Sequence, residues 1–190
     1  MIWLLDPGHG IETKGKRSPF IPPGIREYEF NRDIARRIID WFPRQLDIQS
    51  IVNDEHSVKL RHRVNRANAI AEQEDEVFFI SLHANASGRS AREWNDAHGS
   101  TVFVSENASQ SSALFADILA PRIALTLKTK DRGVRRRDFY VLHKTRCPAV
   151  LIEYGFMTNE IEAAKLASDG YRELLAQATV GAMLEFEERF

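Results

Sequence analysis

The sequence predicts an α/β fold in three αβα layers, a mostly parallel, twisted sheet of about six strands with helices on both faces. Two observations predict it. Short β-branched or aromatic runs recur at Ile2–Leu5, Ile48–Val52, Val77–Leu82, Thr101–Val104, Phe139–Leu142 and Ala149–Ile152, each of strand length. Between several of them lie stretches with helical apolar spacing, at residues 27–42, 59–73 and 109–128, with more at 158–168 and 170–188. A length of 190 residues fits a single domain, 1–190, and no repeat, low-complexity tract or linker marks a second boundary.

Taken in order, the first strand runs directly into Asp6-Pro7-Gly8-His9-Gly10, where the glycines are expected to free the backbone to turn and to let groups come close. The segment Ile11–Gly24 holds three prolines, two glycines and three basic residues and reads as a loop. In the third helical stretch Pro121 removes a backbone donor, so a kink or break is expected after Ala120.

Composition excludes some classes. With 26 basic and 27 acidic residues the net charge is -1, which gives no general electrostatic reason to expect nucleic acid or an anionic membrane as partner. The single cysteine, Cys147, cannot form an intramolecular disulfide or a thiolate metal cluster, so any metal must be held by histidine and carboxylate. The start, Met1 to Asp6, does not read as a secretory signal, and synthesis in the cytoplasm is expected. The most apolar long stretch, Leu114–Leu127, is interrupted by Asp117, Pro121 and Arg122, short of the roughly 20 apolar residues a membrane span needs.

In open α/β sheets the ligand site gathers at the carboxyl ends of the strands. Three chemically able residues are placed there: His9 after the first strand, His83 after Val77–Leu82, and Glu153 after Ala149–Ile152. A catalytic zinc site takes three protein ligands and leaves a fourth position open. The helix beginning near residue 26 offers Glu27 and Glu29 as the third ligand. Phe30, Ile34, Ile38 and Trp41 share one face, with Glu27 about 25° from its centre and Glu29 about 135° away. Glu27 therefore points inward and Glu29 outward. Alone, an inward Glu27 would more simply pair with an arginine or cap its own helix; beside two strand-end histidines, a divalent cation becomes the better partner. Glu153 closes an entirely apolar strand and suits proton transfer.

These residues sit in motifs with a family resemblance. "LLDPGHG", "GIREYEFN", "LRHRVNRANAI", "FISLHANA", "GSTVFV", "RGVRRRDFYVLHKTRCPAVLIEYGFMTN" and "YRELLAQATVGAM", in that order over essentially the whole chain, resemble the type-three zinc N-acetylmuramoyl-L-alanine amidases, which are peptidoglycan hydrolases. The resemblance implies Zn2+ held by His9, Glu27 and His83, Glu153 as the catalytic glutamate, and cleavage between N-acetylmuramic acid and L-alanine of the stem peptide, in the cell wall or periplasm. Two positions depart from the pattern: Ile11 stands where many members have glycine, and Tyr28 where lysine is common. Regulated members carry an inserted helix that plugs the site; the short segment Ser105–Asp138 leaves room for one helix and its loops, so an open site is implied, closer to a compact phage endolysin than to a secreted division amidase.

Other residues read more plainly. His56, His62, His98 and His143 are expected at the surface, although His98 could approach a substrate. Arg135, Arg136 and Arg137 read as a solvated basic loop before the fifth strand, able at most to meet stem-peptide carboxylates. Arg63 and Asn68 match family positions with structural or supporting roles, and Asp6 could orient His9. Trp3 and Trp41 read as core, and Trp94 as a groove wall or loop cover. Competing functions are another zinc amide hydrolase, such as a carboxypeptidase or N-acyl amino acid hydrolase, and a noncatalytic peptidoglycan-binding module.

Overall fold

The structure, a computed structural model, describes residues 1–88 and 93–189. In chain order its elements are β1 (Ile2–Pro7), α1 (Glu27–Trp41), β2 (Asp47–Ser50), α2 (Leu60–Ala71), β3 (Val77–Asn85), β4 (Ser100–Val104), α3 (Gln110–Leu127), β5 (Asp131–Arg136), α4 (Tyr140–His143), β6 (Ala149–Phe156), α5 (Glu160–Ala167) and α6 (Asp169–Arg189). The strands form one sheet in the order β2-β1-β3-β6-β4-β5. Every neighbouring pair is parallel except β4 against β6.

Alternation along the strands divides the core between two faces. On one face Trp3, Leu5, Phe78, Ile80, Val150 and Ile152 meet α1, α3, α5 and α6. Its centre is aromatic: the Trp3 ring lies 4.9 Å from Phe78 and 5.1 Å from Phe115, and Phe186 of α6 packs 5.4 Å from Phe78. On the other face Leu4, Phe79 and Leu151 meet α2, through Val64 and Ala67, and α4, through Val141 and Leu142. Burial on both sides explains the nearly continuous apolar strands, and the three-layer expectation holds.

Four local expectations are corrected. Phe139–Leu142 is not a strand: Phe139 precedes the short helix α4, which turns Val141 and Leu142 onto the sheet. Four apolar residues carry too little periodicity to separate the two conformations. The fifth strand is instead the polar Asp131–Arg136, an edge strand whose arginines leave no apolar alternation to read. Pro121 does not break α3, which is assigned as one helix from Gln110 to Leu127. Pro121 is exposed while Leu119, Ala120 and Ile123 are buried, so water can satisfy the carbonyl that loses its partner, and packing holds both halves. Trp41, read as core, is 51% exposed and donates its indole N–H to Glu173; the next residue, Phe42, is buried in its place.

One stretch of the second face is polar. Asp6 of β1 and Arg63 of α2 are both about 2% exposed and paired at 2.5 Å, and the Ser81 hydroxyl donates to the other Asp6 oxygen at 2.8 Å. Removing one partner of a buried pair strands the other charge. Arg63→Met is therefore expected to lower unfolding free energy by about 3–5 kcal/mol in urea titrations, whereas Arg146→Met, which breaks an exposed pair with Glu72, leaves the midpoint essentially in place.

Candidate active site

Strand β1 ends at Pro7, and the chain then makes a turn whose carbonyls are all held by side chains. Arg63 donates to Pro7 O at 2.7 Å and to His9 O at 3.0 Å, Asn31 donates to Gly8 O at 3.1 Å, and Arg32 donates to His9 O at 3.0 Å. Held in this way, His9 adopts a left-handed conformation, φ 62°, which a non-glycine residue rarely takes without compensation. The flanking glycines serve close approach instead of the turn itself. A Cβ on Gly8 would lie 2.1 Å from the His83 ring, and one on Gly10 would lie 2.3 Å from the backbone nitrogen of Ser57.

The other groups arrive from three further elements. Glu27 is the first residue of α1, 1% exposed, while Glu29 faces solvent and pairs with Arg26, as the helical arithmetic requires. His83 and Glu153 lie within β3 and β6, which run further than the apolar runs suggested. They are direct register partners, and parallel partners project to the same face of the sheet. Ligand atoms of His9, Glu27 and His83 lie within 4.8 Å of one another. Glu27 Oε1 is 2.9 Å from His83 Nδ1 and 3.3 Å from His9 Nε2, and it accepts the Ala84 backbone N–H at 3.3 Å. The two imidazoles stand edge to face, 4.9 Å between centroids.

Fit to a cation is tested by what is left over. Among the described residues, Glu27 Oε2 and Glu153 Oε2 are buried without a hydrogen-bond partner. Such atoms are costly, and two histidines with a carboxylate are a donor set suited to a divalent metal. Electrostatics separates the two acids. Burial would raise Glu27, but hydrogen bonds with His83 and His9 outweigh it and hold its carboxyl well below the usual range. Burial also dominates at Glu153, and without such partners its carboxyl is pushed up to about 7. Burial lowers His9 despite Glu27, whereas for His83 the Glu27 carboxylate overcomes burial and raises it.

The cluster opens into a groove of about 440 Å³ on the α2/α4 face, walled by Val58, Leu60, Phe139, Tyr140 and Val141 and floored by His9, His83 and Glu153. Lys16, Lys59 and Thr13 also line it. Sequence reading missed these because they lie in loops or at a helix cap, where no periodicity marks a direction. The backbone does signal it for Lys16: Glu27 N–H donates to Lys16 O, and Arg17 bridges Arg26, folding the loop back onto the start of α1.

The remaining expectations resolve individually. His56 pairs with Glu12 at the surface, His62 is exposed, His98 faces Asp96 O, and His143 lies 3.8 Å from Asp138; none joins the cluster. Asp6 does not touch His9 but reaches it through Arg63. Asn68 ties α2 to the segment before β6 by bonds to Lys144 O and Arg146 N–H. Arg135 and Arg136 belong to β5 instead of a loop; Arg136 donates to Glu106 O, and Arg137 lies over the Phe139 ring. Trp94 is half-buried and packs 6.0 Å from Phe20, and it does not line the groove.

Comparison with known proteins decides the family: residues 4–185 match the model described as N-acetylmuramoyl-L-alanine amidase. The chain belongs to that family. It is 35% identical over 177 residues to the N-acetylmuramoyl-L-alanine amidase LytC of Bacillus subtilis (strain 168), covering 92% of this chain and 33% of LytC. It is 28% identical to the endolysin of Bacillus phage SPP1, covering 97% of this chain and 65% of the endolysin. The chain thus spans about a third of the first relative and about two thirds of the second. The crystal structure of an N-acetylmuramoyl-L-alanine amidase from Clostridium difficile 630 superposes with a TM-score of 0.84 at 30% identity, covering 98% of this chain and 96% of that one. The two departures from the amidase pattern lie off the cluster: Ile11 is exposed, and Tyr28 donates its hydroxyl to Glu29 beneath the Arg32 guanidinium.

Two expectations follow for the site. Gly8→Ala must displace the His83 ring, so isothermal titration should show metal affinity at least about tenfold weaker, with the circular-dichroism spectrum retained. The second concerns pH in chelator-treated protein. Glu153 has a folded pKa above its unfolded value of 4.5, so the folded state binds more protons between pH 4.5 and about 7, and stability falls as pH rises across that window. Glu153→Gln removes this slope and should stabilise the metal-free protein at pH 8 by on the order of 2 kcal/mol relative to wild type, with little difference at pH 4.5.

Proposed function

We propose that this chain is a zinc-dependent N-acetylmuramoyl-L-alanine amidase, a single catalytic domain that cleaves the amide between the lactyl group of N-acetylmuramic acid and L-alanine in the cell wall. One observation carries the reading: His9, Glu27 and His83 converge with one Glu27 oxygen unsatisfied, directly beside a second buried carboxyl, Glu153, that stays uncommitted.

His9, Glu27 and His83 would hold the zinc. When bound, it would supply Lewis acidity, lowering the pKa of water from about 15.7 toward 7 and polarising an amide carbonyl. Glu153 takes the proton of the attacking water on its carboxylate and returns it to the L-alanine nitrogen as the C–N bond breaks. A carboxyl near 7 suits both halves of that transfer. Phe139, Val141 and Val58 give the groove apolar walls beside the transfer.

The competing readings fit less well. A carboxypeptidase needs a carboxylate-binding arginine inside a closed pocket; this groove is open, and the arginine within its lining, Arg63, is committed to Asp6, Pro7 O and His9 O. A binding module has no use for a half-buried groove carboxyl, Glu153, whose inner oxygen is left without a partner. The segment between β4 and β5 supports an open site, since its helix α3 packs into the core against α6 and lies away from the groove. No helix among the described residues is long and apolar enough to cross a membrane, which is compatible with action at the wall.

Metal analysis of the purified protein should give one zinc per chain, and His9→Ala should lose it. Mass spectrometry of digested peptidoglycan should then show new L-alanine amino termini on intact glycan strands. Glu153→Ala should keep the zinc and lose at least about a hundredfold in rate. New reducing sugar ends, cuts within the stem peptide, or full activity in Glu153→Ala would each overturn the reading.

A further inference from the structure

The groove mouth is cationic, and its charges lack partners. Lys16 lines the groove beside His9 and Glu153, and Lys59 lines it at the cap of α2. Among the described residues, neither ammonium has an acidic partner within 4.0 Å. Arg137 follows β5 and meets the groove through Phe139. Its guanidinium lies 4.7 Å from the centroid of Phe139, itself a groove wall, and it too has no carboxylate partner, the adjacent Asp138 being occupied by Ser105 and the Glu106 N–H. Lys16 and Arg137 both lie close enough to Glu153 to stabilise its charged form.

The acids nearby do not neutralise them. Asp6 is spent on Arg63 and Ser81, and Glu27 on the two histidines. A chain of net charge -1 has thus gathered unpaired positive charge around its groove. Fixed cations beside an apolar cleft recruit and orient anionic ligands. A guanidinium already stacked on an aromatic ring loses little freedom when it takes a carboxylate.

We propose that Lys16 and Arg137 form a subsite for the free carboxylates of the stem peptide, so that stems carrying D-isoglutamate at their second position are preferred over stems amidated there. This inference rests on the amidase reading. The span is right: the second residue begins one residue beyond the scissile amide, and its carboxylate lies within about 7 Å of it. Lys16 lines the same groove as Glu153, the group proposed to work at that amide, and Arg137 stacks on Phe139 of its wall.

The test compares two synthetic muramyl tripeptides, identical except for a D-isoglutamate or a D-isoglutamine second residue, with the zinc-loaded protein. Wild type is expected to favour the acidic substrate at least fivefold in kcat/KM at low salt, and the ratio should shrink at 0.5 M NaCl. Lys16→Gln and Arg137→Gln should each bring the ratio toward one, mainly by raising KM for the acidic substrate. Lys14→Gln, a charge change in the same loop but off the groove, should keep the wild-type ratio. Equal cleavage of both substrates by wild type, or losses in the variants that fall equally on both, would overturn the subsite and leave the amidase standing. Cleavage of neither substrate by metal-loaded protein would overturn the amidase reading itself.

Discussion

The buried pair between Asp6 and Arg63 is the constraint on which the site depends. It joins β1 to α2 across one face of the sheet, and the same guanidinium also donates to the carbonyls of Pro7, His9 and Val58. A left-handed histidine costs roughly 1–3 kcal/mol, and a turn free in solution would relax out of it. Here relaxation would unpair a buried arginine as well as Asn31 and Arg32, which hold the other side of the turn. The strain is therefore locked chiefly by Arg63 and Asn31, which are buried and would lose these acceptors. A buried ion pair of this kind is weak evidence for stability, and what it contributes is position.

Sheet register supplies the rest of the geometry at little cost. Because His83 and Glu153 are parallel partners, they share a face and a height without side-chain contacts to enforce it. The antiparallel step to β4 places Thr101 opposite Glu153 on the far side, so β6 is flanked on both edges and its glutamate is fixed in a paired strand instead of a mobile loop. Gly8 then lets the His83 ring settle against the β1 exit, the contact that brings His9 and His83 to 4.9 Å. Helix α1 completes the cluster by presenting Glu27 from its first residue, where the chain has just folded back through Lys16.

Much of this was legible in the chain. Residues with strong periodicity, Phe30, Ile34 and Ile38, fixed the face of α1 and separated Glu27 from Glu29; apolar runs ending on His83 and Glu153 placed both on one edge of the sheet. What escaped reading obeys other physics. Strand β5 is polar because it is an edge, and four apolar residues at Phe139–Leu142 carry no usable period. Trp41 yielded its place to Phe42 because the helix ends there, and end effects are invisible to a 100° repeat. The resemblance marked Arg63 for a structural or supporting role but not its clamp on the turn, since a guanidinium serving backbone carbonyls leaves no spacing to detect.

The two carboxylates show how one cavity can assign opposite roles to the same side chain. Both Glu27 and Glu153 are driven by burial toward the protonated form, and in both an oxygen is left without a partner. Glu27 has two imidazoles within hydrogen-bonding reach, which reverse the effect of burial and keep it an anion. Glu153 has only longer-range charges, His83, Lys16 and Arg137 on one side and Glu27 on the other, and these do not reverse it. Partners within 3.3 Å thus hold one glutamate as an anion, as a metal ligand would require, and their absence leaves the other's carboxyl pushed up to about 7. The Lys16 and Arg137 charges act on the same balance: an anionic substrate that engages them would weaken their pull on Glu153 and raise its proton affinity as the groove fills. If the proposed subsite takes a substrate carboxylate, that carboxylate and the Glu153 carboxyl would be coupled through two shared cations, tying recognition of the stem peptide to the protonation of Glu153.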